Sequence, residues 1–150
     1  MRCNVGVEPR FLADQHLIAE YRELNMVVGS LRLWDWEIKS VIPDEFNLGI
    51  GHMNFLKNKL RYLQRRHEHV ISEMKFRGFK CDLVRVVLDG IDPKFCNDWV
   101  PTKRDSDVIR QRIYQKILMK PEFYKYFRNP IMKDIDSFLF NLLNGDVYLV

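Results

Sequence analysis

The chain has 150 residues, of which 47% are hydrophobic and 29% charged. That is the length of one domain and a composition that buries a core, so a disordered chain is excluded. No apolar run nears the ~20 residues of a membrane span. Residues 1–10, MRCNVGVEPR, lack the apolar segment of a signal peptide, so an intracellular protein is expected. A net charge of +4 suits a polyanionic partner but is shared by many proteins that bind none.

No repeat, low-complexity tract or Gly/Ser linker divides the sequence, and a single domain over 1–150 is the simplest organisation. The first helix is expected from an N-cap at Asp14 to about Val27, ended by Gly29. Leu17, Tyr21, Leu24 and Val28 fall on one apolar stripe. His16, Ala19, Glu20 and Glu23 project from another side. Residues 30–50, with Pro43, Asn47 and Gly49, read as irregular.

A long helix fits about Met53 to Arg77. Its apolar positions are Leu56, Leu60, Leu63, Val70, Ile71 and Met74, and Gly78 is its stop. Lys57, Lys59, Arg61, Arg65 and Arg66 crowd its first half. Such a charge run is most simply a solvated face. Leu83 to Leu88 allow a short strand, but 80–104 reads mainly as loop.

A third helix, capped by Asp105 or Ser106, runs to about Met119 with Ile109, Ile113 and Ile117 buried. Arg112 and Lys116 stand beside that stripe, where they are either partners of a salt bridge or ligands of phosphate. After Pro121, the aromatics Phe123, Tyr124, Tyr126 and Phe127 alternate with Lys125 and Arg128. They suit stacking on bases with phosphate pairing, or simply a core. Residues 131–144 read as a short amphipathic helix using Met132, Ile135, Phe138, Leu139 and Leu142. The fold class is therefore all-α (mainly helical): a compact domain of about three core helices plus a C-terminal helical extension.

Cys3, Cys81 and Cys96 form no C-x-x-C pair, and the four histidines are scattered. No metal spacing appears, and reduced thiols are expected.

Taken in order, LADQHLIAEYREL (12–24), GIGHMNFLKNKLRYL (49–63), RGFK (77–80), RQRIYQKI (110–117) and PEFYKYF (121–127) resemble the phage endonuclease V family of pyrimidine dimer DNA glycosylases. The resemblance spans about 1–127 and leaves 128–150 as an extension. It implies a glycosylase that also cleaves the abasic strand, acting on damaged double-stranded DNA with no metal or other cofactor; a monomer is expected, because the implied site needs only one chain. The implied nucleophile is the α-amine of Met1, which forms an imine with the sugar, assisted by Glu23. The implied DNA contacts are Arg2, Gln15, His16, Arg22, Arg112, Lys116, Tyr124, Lys125 and Tyr126.

Three departures stand out. Met1 precedes the large Arg2, so Met1 is expected to be retained as the amine-bearing residue. Asn25-Met26 replaces a Pro-Arg pair, which removes a DNA-contacting arginine. LWDWEIKS (33–40) replaces a basic loop and offers Trp34 and Trp36 for stacking or packing. Two other outcomes stay open: the same chemistry on another damaged base, or a DNA-binding relative with a decayed site. A helical protein-interaction domain would explain the apolar stripes but not the ordered match.

Overall fold

Helix α1 (Asp14–Glu23) and helix α2 (Asn25–Leu33) follow one another with a break at Leu24. The computed structural model describes residues 3–33, 35–38, 40–82 and 85–150. The remaining helices are α3 (Ile50–Leu56), α4 (Leu60–Phe76), α5 (Lys103–Met119) and α6 (Ile135–Asn144). The described strands are β1 (Lys125–Tyr126) and β2 (Asn129–Pro130), one small antiparallel hairpin. The fold is mainly helical, as its sequence periodicity predicts. None of the described helices is long and apolar enough to cross a membrane.

The stripes expected in the first three helices are the core, whereas in 131–144 Leu139 and Leu142 are buried but Met132 is exposed, in a 3-10 turn (Ile131–Asp134) that precedes α6. Leu17, Tyr21, Leu24 and Val28 of the first segment are buried, as are Leu56, Leu60, Leu63, Val70, Ile71 and Met74. Ile109, Ile113 and Ile117 complete the third side. Each such side chain contributes roughly 1.5–3 kcal/mol by leaving water. Helix α1 packs on α4, and α5 packs on α6.

Helix boundaries differ from expectation for identifiable reasons. Asp14 is not the N-cap of α1. That position belongs to Ala13, and the Asp14 carboxylate instead accepts from Arg77 Nη1 at 2.9 Å and from the Phe127 and Arg128 amides at 3.2 and 2.7 Å. The first helical stretch passes Gly29 and ends at Leu33. The expected helix 53–77 is two helices, interrupted at 57–59, where Lys59 makes an isolated antiparallel bridge to Cys96. Gly78, at φ +74°, does stop α4: its amide donates to Lys75 and that of Phe79 to Met74, a Schellman closure. Helix α5 starts earlier than expected. Thr102 caps it, accepting from the Asp105 amide while Asp105 accepts from the Thr102 amide. The loop reading of 80–104 holds for the described residues up to Thr102, apart from a 3-10 turn at Pro93–Phe95, and fails at Lys103 and Arg104, which open α5; Leu83 and Val84 lie outside the described residues.

Two close approaches lock the chain's ends to the core. A Cβ on Gly6, at φ +70°, would sit 2.6 Å from Ser106 Cβ, so only glycine lets the N-terminal segment lie against α5. Tyr148 then bridges back to Gly6. Arg110 donates to the carbonyls of Leu142 and Asp146, which holds the turn after α6. The extension 128–150 is thus part of the packed domain.

Candidate active site

The first described residues, Cys3 and Asn4, are fully buried and bonded to side chains of α1, α3 and α5. Three side chains hold them. The Cys3 amide donates to His52 Nε2 of α3 at 3.2 Å. The Asn4 amide donates to Glu20 Oε1 of α1 at 3.0 Å, and its side-chain Nδ2 donates to Glu20 Oε2 at 2.8 Å. Arg112 Nη2 of α5 donates to Asn4 Oδ1 at 2.8 Å.

Glu20 is the hub. Arg66 of α4 pairs with it through Nε at 2.8 Å and Nη2 at 3.0 Å, a fork of two parallel bonds. Both side chains are fully buried. Burial pushes the Glu20 carboxyl upward, but the Arg66 charge and the donors on it outweigh that, and the group lies below its ordinary value. Its two oxygens each hold two donors, so Glu20 is committed to the structure. Glu23 lies three residues on, close to the same side of α1, and is half-buried.

The surroundings disfavour competing chemistry by other groups. Burial first, then the Glu20 charge, pushes the Cys3 thiol well above its ordinary value, so it stays protonated. Burial and then the Arg112 charge bring His52 down to about 4, so the ring is neutral at physiological pH.

A family model for pyrimidine dimer DNA glycosylases matches residues 2–84, more than half of the chain. The chain belongs to this family. The match covers all of α1 to α4, and with them Gln15, His16, Glu20, Arg22, Glu23, His52 and Arg66. It stops before Arg112, Lys116 and the aromatic segment, so it is narrower than the 1–127 span of the sequence resemblance.

In this glycosylase, the residues singled out from sequence fall into two groups. Arg22 is exposed beside Glu23, and on α5 Arg112 is half-buried with Lys116 exposed one turn on. The second group packs the hairpin onto α1. Gln15 Nε2 donates to the Phe123 carbonyl at 2.7 Å, and Gln15 Oε1 accepts from the Lys125 amide at 3.0 Å. His16 stacks on Tyr124 with ring centroids 4.8 Å apart and planes 10° from parallel. The Tyr126 hydroxyl donates to the Arg10 carbonyl, and Arg77 lies over its ring. Met1, Arg2 and Trp34 lie outside the described residues; Trp36 packs on Phe95.

Sequence reading missed Asn4, His52 and Arg66. The run at 57–66 reads as a solvated face, yet Arg66 is fully buried and Lys57 is buried too. A visible signal existed: Glu20 sits one turn from Glu23 and His16, and a buried carboxylate requires a cationic partner. The 470 Å³ cavity walled by Phe11, Tyr126, Phe127 and Phe138 lies between the hairpin and α6 and shares no residue with this cluster.

Proposed function

We propose that this glycosylase is bifunctional: it cleaves the C1′–base bond of one base of a pyrimidine dimer and then nicks the strand, using the α-amine of Met1. The observation that carries this reading is the fixing of Cys3 and Asn4 by side chains of α1, α3 and α5, with the half-buried Glu23 three residues beyond Glu20 on α1. A nucleophile on the chain's first residue needs that immobilisation.

The chemistry suits an α-amine. Its ordinary pKa of about 7.7–8.0, against about 10.4 for lysine, leaves a useful neutral fraction near pH 7.5. The neutral nitrogen attacks C1′ of the sugar, and the C1′–base bond breaks with its electron pair going to the base, which takes up a proton. Opening of the C1′–O4′ bond, with O4′ protonated, gives the imine. Removal of a C2′ proton then drives β-elimination: the C3′–O bond breaks and the 3′ phosphate leaves. Water hydrolyses the imine and returns the amine. Glu23 serves as the carboxylate that stabilises the cationic sugar and shuttles protons, because Glu20 is saturated with donors.

Arg22, Arg112 and Lys116 supply cations for the phosphates flanking the lesion, and Lys125 extends that charge onto the hairpin. Gln15, His16, Tyr124 and Tyr126 act by holding the hairpin in place. The whole chain 1–150 works as one domain and one copy, since each proposed group comes from a single chain.

Supercoiled plasmid, UV-irradiated or untreated, tests this reading in buffer with EDTA. The expected result is nicking of the irradiated plasmid alone. Equal nicking of both, or of neither, would contradict it.

A further inference from the structure

His52 lies in the matched region, yet its role is not explained by packing alone. It is buried beside Phe46, with ring centroids 5.1 Å apart. Here Nε2 accepts the backbone N–H of Cys3 at 3.2 Å. A nitrogen that accepts cannot also carry a proton, so the contact exists only for the neutral ring with its proton on Nδ1. A protonated ring would turn an N–H towards an N–H and break the contact.

The neighbouring charges are arranged to keep that state. Arg112 of α5 and Glu20 of α1 act on the ring from opposite signs, and Arg112 has the larger effect. The next residue, Asn4, is held by those same two groups. Two consecutive amides, of Cys3 and Asn4, are therefore fixed by acceptors on two different helices. The three bonds on Asn4 fix that residue, and the bond from the Cys3 amide to His52 adds an anchor one residue nearer the amino end.

We propose that His52 is a positioning residue for the amino-terminal nucleophile: its unprotonated Nε2, by accepting the Cys3 amide, aims the chain's first residue at the sugar. This rests on the imine reading above. His52 touches neither substrate nor the reacting atoms, and its contribution is to the fraction of time the amine spends in an attacking geometry. Small misplacements of a nucleophile cost up to about 100-fold in rate.

The test measures single-turnover trapping by borohydride on a duplex with one abasic site, alongside affinity for a duplex carrying a stable abasic analogue. His52→Phe keeps the volume and removes the acceptor; His52→Gln keeps an acceptor oxygen. The expected result is at least about tenfold slower trapping for His52→Phe with affinity within about twofold, and recovery of most of the rate in His52→Gln. A merely structural role would leave both variants alike once folded. Trapping by His52→Phe at the wild-type rate overturns the inference while leaving the imine reading intact; no adduct with the wild type overturns both. Should His52→Phe fail to fold, nitrogen NMR of the wild-type ring decides. A proton on Nδ1 with Nε2 accepting at pH 6 is expected, and a charged ring or the opposite tautomer there sinks the proposal.

Discussion

Asn4 joins Arg112 to Glu20: its side-chain Nδ2 donates to Glu20 Oε2 at 2.8 Å, and its Oδ1 accepts from Arg112 Nη2 at 2.8 Å. One amide side chain thus ties the N-terminal segment to α1 and α5 together. It also links a cation that faces the proposed phosphate path to the buried Glu20–Arg66 pair.

Glu23→Gln removes the proposed proton shuttle while keeping the size and shape of the side chain. Base release and strand cleavage should fall by about 10²–10⁴, with DNA affinity nearly unchanged. Gel-shift titration and single-turnover kinetics on the same dimer-containing duplex check this. Full activity in the variant would remove Glu23 from the mechanism.

Glu20→Gln acts on stability. It leaves the fully buried Arg66 charge uncompensated, and unfolding in urea should show a loss of about 3–5 kcal/mol. A loss below about 1 kcal/mol would mean that the pair is solvated in solution.

Acid weakens the fold by two routes of the same sign. His52 titrates near 4 when folded against 6.5 when unfolded, so its contribution is complete above pH 6.5 and fades as pH falls towards 4. The effect is at most about 3 kcal/mol. His67 and His69, both lowered chiefly by burial, act in the same direction. Glu20, held below its ordinary 4.5, adds stability that is complete above that value and is lost as pH drops through its folded pKa. Urea midpoints measured from pH 7 to 4 should fall steadily, and His52→Gln should flatten the upper part of that slope.

Lys116→Ala should weaken DNA binding and reduce the slope of log affinity against log salt by about 0.9. Arg112→Ala should do the same and also slow trapping, because it releases Asn4. Identical kinetics for the two variants would separate Arg112 from the N-terminal segment.

The hairpin rests on Asp14. Phe127 and Arg128 both take positive φ, 49° and 64°, as a two-residue type I′ turn requires, yet neither is glycine or asparagine. Asp14 offsets that strain by accepting both amides while pairing with Arg77. Asp14→Ala should lower stability by about 2–4 kcal/mol and expose the 125–130 segment to proteolysis. An unaltered protease pattern would show that the aromatic packing of Phe127 on Phe76 suffices.

Apolar periodicity was enough to read α1, α4 and α5 and their buried faces, since Leu17, Leu63 and Ile113 each repeat at helical spacing. It could not reveal the hairpin, because Phe127-Arg128 carries no turn signature and depends on a carboxylate 113 and 114 residues away. Nor could it separate Arg66 from the neighbouring exposed Arg61. Both sit in one charge run, and only the position of Glu20, 46 residues earlier, decides which is buried. The family resemblance supplied Glu23 and Arg22, while Asn4 and His52 emerge only when the first strand of chain is seen between three helices.

The central claim is that the chain's own amino end is the nucleophile. The direct test incubates the full-length protein with an abasic duplex and borohydride in EDTA, digests the adduct and maps it by mass spectrometry. One adduct is expected, on the α-amine of a peptide beginning at Met1. An adduct on a lysine such as Lys59, or none despite intact DNA binding, would contradict it.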